Sequence, residues 1–236
     1  LFRYNRDKRT FELFTDIKPQ GAFKDVYYLV EDPQGKLWGA TFINGIFFYN
    51  KEKNEFERFV WDDKYIPSIV SSFNIDREGN LWIGSTFDGL YKVNKEKNIY
   101  EVFKNDKTNP KSISHNFILC IYQDTKGNIW VGARSGLNLY EPQTKTFRHY
   151  SESDGLVNNL VSEIREDKHG DLWISTNRGL SHFNPVTKTF KNYTVEDGLQ
   201  HNEFWQRSAC KLTTGELLFG GINGFNLFDP DKIRTN

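Results

Sequence analysis

The chain has no methionine, only two cysteines and no net charge. Lys+Arg and Asp+Glu both count 31, so there is no basic surplus to draw the chain to nucleic acid. No run of like charge marks a tail. No apolar run approaches the roughly 18 residues that a membrane-spanning helix needs. No secretory leader is visible, and the chain starts at Leu1, so residue 1 is not expected to be the natural start of the gene product. Cys120 and Cys210 fall on expected innermost strands of units that are not neighbours, too far apart to bridge. They read as buried free thiols rather than a redox pair. No segment keeps a 3.6-residue period, so almost no helix is expected. Gly-x-Ser-x-Gly, Walker-type and His-Glu-x-x-His motifs are all missing, which weighs against the common hydrolase, nucleotide and zinc-protease chemistries.

What the chain has in quantity is aromatic side chains, 16% of all residues, and one unit that repeats. Aromatics suit strands that pack flat faces together. The unit is plainest from Asp76 to Tyr91 and returns at Asp124–Tyr140 and Asp167–Phe183. Its first marker is Asp-x-x-Gly followed by Trp: Asp32, Gly35 and Trp38; Asp76, Gly79 and Trp82; Asp124, Gly127 and Trp130; Asp167, Gly170 and Trp173. Gly215-Glu216-Leu217-Leu218 is a degenerate fifth copy. A second glycine keeps step: Gly45, Gly89, Gly136, Gly179 and Gly224. The step is 43 to 48 residues, and a period near 40–50 with short strands marks a β-propeller blade.

The expected fold is all-β, a propeller of about five four-stranded antiparallel blades. Blades are expected near residues 1–20 (outer strands only), 21–62, 63–106, 107–152, 153–196 and 197–236, the last without its outer strand. Innermost strands are expected at Val26–Val30, Ile69–Ile75, Phe117–Tyr122, Leu160–Arg165 and Phe204–Lys211. Leu1–Tyr4 and Phe11–Phe14 read as third and fourth strands of a blade begun elsewhere. The Asp of Asp-x-x-Gly accepts backbone N–H groups and the Gly takes a positive φ, closing a hairpin. Calcium loops need further oxygen ligands at alternating positions, so no metal is assigned to these turns. Each Trp is read as a wedge between blades.

Linked in this order, the motifs resemble the two-component regulator propeller family. The resemblance rests on Asp76–Asn94, Asp124–Pro142, Asp154-Gly155-Leu156 through Asp167–Asn184, Thr187–Tyr193 and Asp197-Gly198-Leu199, and it covers essentially the whole chain. Gly220–Pro230 looks like the family's last propeller repeat. The resemblance implies the C-terminal portion of a propeller array in the periplasmic part of an inner-membrane hybrid sensor histidine kinase of Bacteroides-type bacteria. It implies carbohydrate sensing, phosphorelay signalling and transcription control by the parent protein, and no catalysis or cofactor in this region. Implied partners are an oligosaccharide, the remaining blades, a C-terminal β-sandwich and a second copy of the chain.

Ligands of propellers usually meet the face where the loops entering each blade lie beside the loops joining its second and third strands. Sugars are held by aromatic faces with amide, carboxylate and guanidinium groups. Trp61, Tyr65, His115, Arg134, Arg178, His201, Trp205 and Asn223 have that chemistry and map to that face or its rim. Asn116, Asn159 and Asn202 hold equivalent positions and read instead as hydrogen bonds at blade entry, while Trp61 could simply cover a blade edge. Two other classes stay open. A propeller lyase similar to streptogramin lyase would use His115, His201 and Glu203, though the two histidines sit two blades apart and metal or acid–base sites need convergent groups. A protein-interaction scaffold is compatible with the even charge.

Overall fold

In the computed structural model, residues 2–13, 26–41, 43–61 and 64–233 are described. Leu1 and Phe14 of the expected first strands, and Asp62 and Asp63 of the expected recognition loop, lie outside them. A short hairpin, β1 (Phe2–Asn5) and β2 (Thr10–Leu13), precedes five blades. Blade one contains β3 (Val26–Glu31), β4 (Leu37–Thr41), β5 (Gly45–Asn50) and β6 (Glu55–Arg58). Blade two contains β7 (Val70–Ile75), β8 (Leu81–Ser85), β9 (Leu90–Asn94) and β10 (Ile99–Phe103). Blade three contains β11 (Ile118–Gln123), β12 (Ile129–Ala133), β13 (Gly136–Glu141) and β14 (Thr146–Tyr150). Blade four contains β15 (Val161–Glu166), β16 (Leu172–Thr176), β17 (Gly179–Asn184) and β18 (Thr189–Tyr193). Blade five contains β19 (Phe204–Lys211), β20 (Leu217–Gly221) and β21 (Gly224–Phe228), and β21 has no outer partner among the described residues. Neighbouring strands pair antiparallel in every blade. The helical content of the described residues is three single 3₁₀ turns.

The repeated Asp does more than close its hairpin. In blade two, Asp76 Oδ1 accepts the backbone N–H of Glu78 (3.0 Å) and of Asn80 (2.9 Å). Its Oδ2 accepts the indole N–H of Trp82 at 2.8 Å. The indole bond recurs from Trp38 to Asp32 (2.8 Å), Trp130 to Asp124 (2.9 Å) and Trp173 to Asp167 (3.0 Å). A buried indole N–H needs an acceptor, and here the turn supplies it. Blade five lost both partners together: Leu212 stands where the Asp would be and Leu218 where the Trp would be. The turn survives on backbone bonds alone, Leu212 N–H to Glu216 C=O at 2.8 Å.

Each Trp faces the following blade. Trp82 meets Tyr140 at 5.0 Å, Trp130 meets Phe183 at 5.8 Å and Trp173 meets Phe228 at 4.8 Å, all ring to ring. The wedges are almost wholly buried. They divide the core into one cluster per blade interface. In blade one the residue opposite Trp38 is Val93, and the smaller side chain leaves a groove of about 760 Å³ between Trp38, Phe48, Glu57 and Asn94. The equivalent face of blade five is open: Phe225, Leu227 and Trp205 are exposed. Cys120 is buried as expected, but Cys210 is exposed, because it lies on this uncovered face.

Innermost strands have an edge with no strand beyond it, so their carbonyls need other donors. Side chains of neighbouring blades provide them. The Ser71 hydroxyl donates to Ile118 C=O at 2.6 Å, Tyr28 OH donates to Ser71 C=O at 2.8 Å, and Arg165 Nε donates to Ala209 C=O at 3.0 Å. Every innermost strand also carries a bulge near its start. In β19 the bulge is wider, and Arg207 there takes φ +60°. That conformation turns its guanidinium across the axis, where Nε donates to Tyr28 OH at 3.0 Å. Blades one and five are thereby joined through the centre.

The second glycine of the repeat is needed for space as well as for its dihedral. Gly136 has φ +115°, and a Cβ there would sit 2.5 Å from the Tyr150 carbonyl oxygen. Gly127 has φ +88° but open space around it. Gly136→Ala is therefore expected to cost about 2–4 kcal/mol, combining strain and overpacking, while Gly127→Ala costs only about 1 kcal/mol. Chemical denaturation of the two variants checks the order; equal losses would contradict it.

Candidate functional site

Two places gather groups capable of recognition: the loop face and the axis. On the loop face, Trp61 and Tyr65 come together. Trp61 bridges to Lys64 and sets its ring edge-on to Tyr100 at 6.0 Å. Tyr65 is exposed, with its hydroxyl donating to Asp88 Oδ2 at 3.3 Å. They line a shallow pocket of about 330 Å³ with Arg58, Lys64 and Pro67. Trp61 also packs on the core between blades one and two, so it covers a blade edge as well.

His115 and Arg134 form a second pair. The pKa of His115 is lowered by burial and then by the Arg134 charge, so its imidazole favours the neutral form. His115 Nδ1 accepts the Phe117 backbone N–H at 2.8 Å, and His201 Nδ1 accepts that of Glu203 at 3.1 Å. Both rings thus brace their own loops. Arg178, Trp205 and Asn223 are exposed, and among the described residues no hydrogen bond or ion pair joins them to one another or to the first two pairs.

Two of the blade-entry loops are more ordered than variable loops need be. Ser151–Gly155 and Thr194–Gly198 are single 3₁₀ turns closed by a capping box and by a glycine with positive φ. Each then drops a leucine inward, Leu156 fully and Leu199 partly buried. Asn116, Asn159 and Asn202 accept the backbone N–H of Asn105 (2.7 Å), Glu152 (2.9 Å) and Val195 (3.0 Å), as the blade-entry reading expects.

The axis holds a buried ion pair. Glu163 Oε2 pairs with Arg165 at 2.8 Å, and Oε1 accepts the Arg207 backbone N–H at 2.7 Å. Burial raises the Glu163 pKa above the ordinary glutamate value, against the opposing pull of both arginines. Burial likewise pushes the Tyr28 hydroxyl up to about 12. Beside these groups lies a cavity of about 380 Å³ lined by Tyr28, Ser72, Asn74, Tyr122, Glu163 and Arg165, among others. The lining comes from four innermost strands, mostly from their later halves, so the cavity lies toward the hairpin-turn end and away from the loop face.

None of the eight residues expected to bind ligand lines this cavity. A signal for it was present. Tyr28, Ser72, Cys120 and Glu163 occupy one register position, four before each repeated Asp; Val30, Asn74, Tyr122 and Arg165 occupy the position two before. A Glu and an Arg in strands otherwise built to be buried point to a polar axis.

For a metal, one set among the described residues is close enough: Asp167, Asp171 and His182, with ligand atoms within 4.8 Å of one another. In blades two and three an Asn amide donates to the repeated Asp, as Asn80 Nδ2 does to Asp76 Oδ2 at 2.8 Å. Blade four has Asp171 there, and His182 Nε2 reaches it at 3.0 Å and Asp167 at 3.9 Å. The imidazole therefore hydrogen-bonds Asp171 and not the repeated Asp.

The architecture is thus a repeat propeller with short blades, loops on one end and a polar axis. Residues 112–135 and 155–178 match the family model of the two component regulator propeller. Each match spans the end of a blade-entry loop, the innermost strand, the Asp hairpin and the Trp strand. No curated protein matches the chain. Solved structures share the fold. One is the extracellular domain of a hybrid two-component system from B. thetaiotaomicron, 22% identical, with a TM-score of 0.64 over 88% of this chain and 34% of that one. PorZ, an essential surface component of the type-IX secretion system of Porphyromonas gingivalis, is 22% identical, with a TM-score of 0.68 over 86% of this chain and 32% of its own. Virginiamycin B lyase from Staphylococcus aureus is 16% identical, with a TM-score of 0.67 over 88% of this chain and 67% of the lyase. The chain spans about a third of the length of the first two. No helix among the described residues is long and apolar enough to cross a membrane.

Glu163 gives a pH-dependent consequence. A carboxyl with a raised pKa in the folded state binds its proton more tightly there than when unfolded. Its contribution to stability is complete below the unfolded value and is lost as pH rises through the folded value. Replacing it with glutamine removes that loss, so the stability of Glu163→Gln relative to the parent should rise as pH increases above the ordinary glutamate range. Paired urea titrations from that range upward measure it; a gap that stays flat or shrinks contradicts the assignment.

Proposed function

We propose that the chain is the non-catalytic, ligand-sensing propeller of a two-component sensor, exposed outside the cytoplasm. The observation that carries this reading is the repeat at residues 112–135 and 155–178, which is that of two component regulator propellers. The ligand is an oligosaccharide or a fragment of one. The parent is a hybrid sensor histidine kinase and response regulator, with this region in the periplasm and the signal passing across the inner membrane to control transcription. The open face of blade five, bearing Phe225, Leu227 and Trp205, supports packing against a further blade of the parent or its β-sandwich. A second copy of the chain is the other candidate for that face.

The lyase reading has support from a shared propeller fold, with 16% identity. Against it, His115 and His201 each spend Nδ1 on their own loop backbone. A calorimetric titration of neutral and acidic oligosaccharides against the folded chain tests sensing. Micromolar to millimolar binding without turnover is the expected result, with the melting temperature rising by mass action. Metal-dependent conversion of a small substrate that His201→Ala abolishes would overturn the sensing reading.

A further inference from the structure

The axial cavity has a polar inventory that can be followed atom by atom. Its deeper cation, Arg165, spends most of its donors on the protein. Arg165 gives Nε to Ala209 C=O (3.0 Å) and NH1 to Glu163 and to Ile164 C=O (2.6 Å). Arg77 gives NH1 to Thr125 C=O (2.9 Å) and NH2 to Asp124 C=O (3.0 Å). Gln123 accepts the Arg77 N–H and donates to Gly127 C=O. An anion entering here would approach the buried Glu163 carboxylate, and the lining cation that keeps unspent N–H groups, Arg77, is exposed at the rim.

The neutral groups are different. Asn74 uses Oδ1 on the adjacent Ile75 N–H, which leaves its amide N–H₂ for the cavity. The Tyr122 side chain lines the cavity, and its hydroxyl can donate there. Each Glu163 oxygen has one partner and keeps a lone pair. Two donors and an acceptor therefore converge beside the rings of Tyr122 and Tyr28. A hydroxyl group both donates and accepts, and the C–H faces of a sugar ring pack on aromatics. The volume of about 380 Å³ falls at the small end of the range for small-molecule sites.

Resting on the sensing reading, we infer that the axial cavity is the ligand site and that its ligand is a neutral polyhydroxylated molecule the size of a mono- or disaccharide. Asn74 belongs to blade two, Tyr122 to blade three and Glu163 to blade four, while Tyr28 brings in blade one. One bound molecule would tie these blades together beside the Arg207 strut. Ligand binding at this point acts on the relative placement of the blades.

The test uses the 236-residue chain with glucose, galactose, mannose, xylose, arabinose, their disaccharides and glucuronate, followed by melting temperature and calorimetry. Tyr122→Phe and Asn74→Ala are compared with Tyr65→Ala and His201→Ala on the loop face, each first checked for an unliganded melting transition. A neutral sugar should raise the melting temperature. Its Kd should weaken on the order of tenfold in each cavity variant, the loss of one hydrogen bond to a buried group, and stay within about twofold in the loop-face variants. Glucuronate should bind more weakly than its neutral parent. Binding that survives both cavity variants and falls in Tyr65→Ala or His201→Ala overturns the axial site and leaves sensing standing. Tighter binding of glucuronate overturns the neutral ligand class. Failure of every one of these sugars overturns the axial site; sensing then stands if the oligosaccharides of the earlier titration bind and falls with it if they do not.

Discussion

The structure depends on one carboxylate used twice. In each of four repeats the Asp of the hairpin holds the turn through backbone N–H groups and holds the Trp through its indole N–H. Turn geometry and blade packing are thus set by the same atoms. The turn fixes the height of the Asp, the Asp fixes the indole, and the indole fixes where the next blade lies. Asp76, Asp124 and Asp167 are themselves buried. A buried carboxylate is tolerable because it is fully hydrogen-bonded, and removing its indole partner would leave part of that potential unmet. Blade five supports the coupling from the other side, since Asp and Trp are absent there together.

Much of this was legible in the sequence. The repeat and the two glycines placed the first three strands of each of the five blades, and the third- and fourth-strand reading of Leu1–Tyr4 and Phe11–Phe14 overlaps the hairpin found at Phe2–Asn5 and Thr10–Leu13. The hairpin role of the Asp could be read from turn chemistry. Its bond to the Trp could not, because the two lie six residues apart on opposite strands and only the folded hairpin brings them together. The exposure of Cys210 was missed for a similar reason. Its strand is an innermost strand like the others, but the face it occupies has no blade against it.

The candidate sites divide along the same line. Loop residues such as Trp61, Tyr65 and His115 stood out by chemical type, and they are spread in pairs over several blades. The axial residues did not stand out singly. Tyr28, Asn74, Tyr122 and Glu163 are ordinary residues until the ring brings their register positions to one cavity. A repeated scaffold favours this outcome, because equivalent positions converge only at the axis. Polar residues at such positions also answer the unpaired edges of the innermost strands. Ser71, Tyr28 and Arg165 spend their donors on neighbouring carbonyls, so the axis is held together by polar side chains where other interfaces use aromatic rings.

The coupling between turn and wedge is open to direct measurement by a double-mutant cycle on Asp124→Ala and Trp130→Phe, with stability read by denaturant titration. Phenylalanine keeps most of the wedge and removes the indole N–H. With the 2.9 Å bond intact only in the parent, the double variant should lose less than the sum of the single losses, by about 1.5–3 kcal/mol for a charge-assisted bond. Strictly additive losses would contradict the account, because turn and wedge would then be independent.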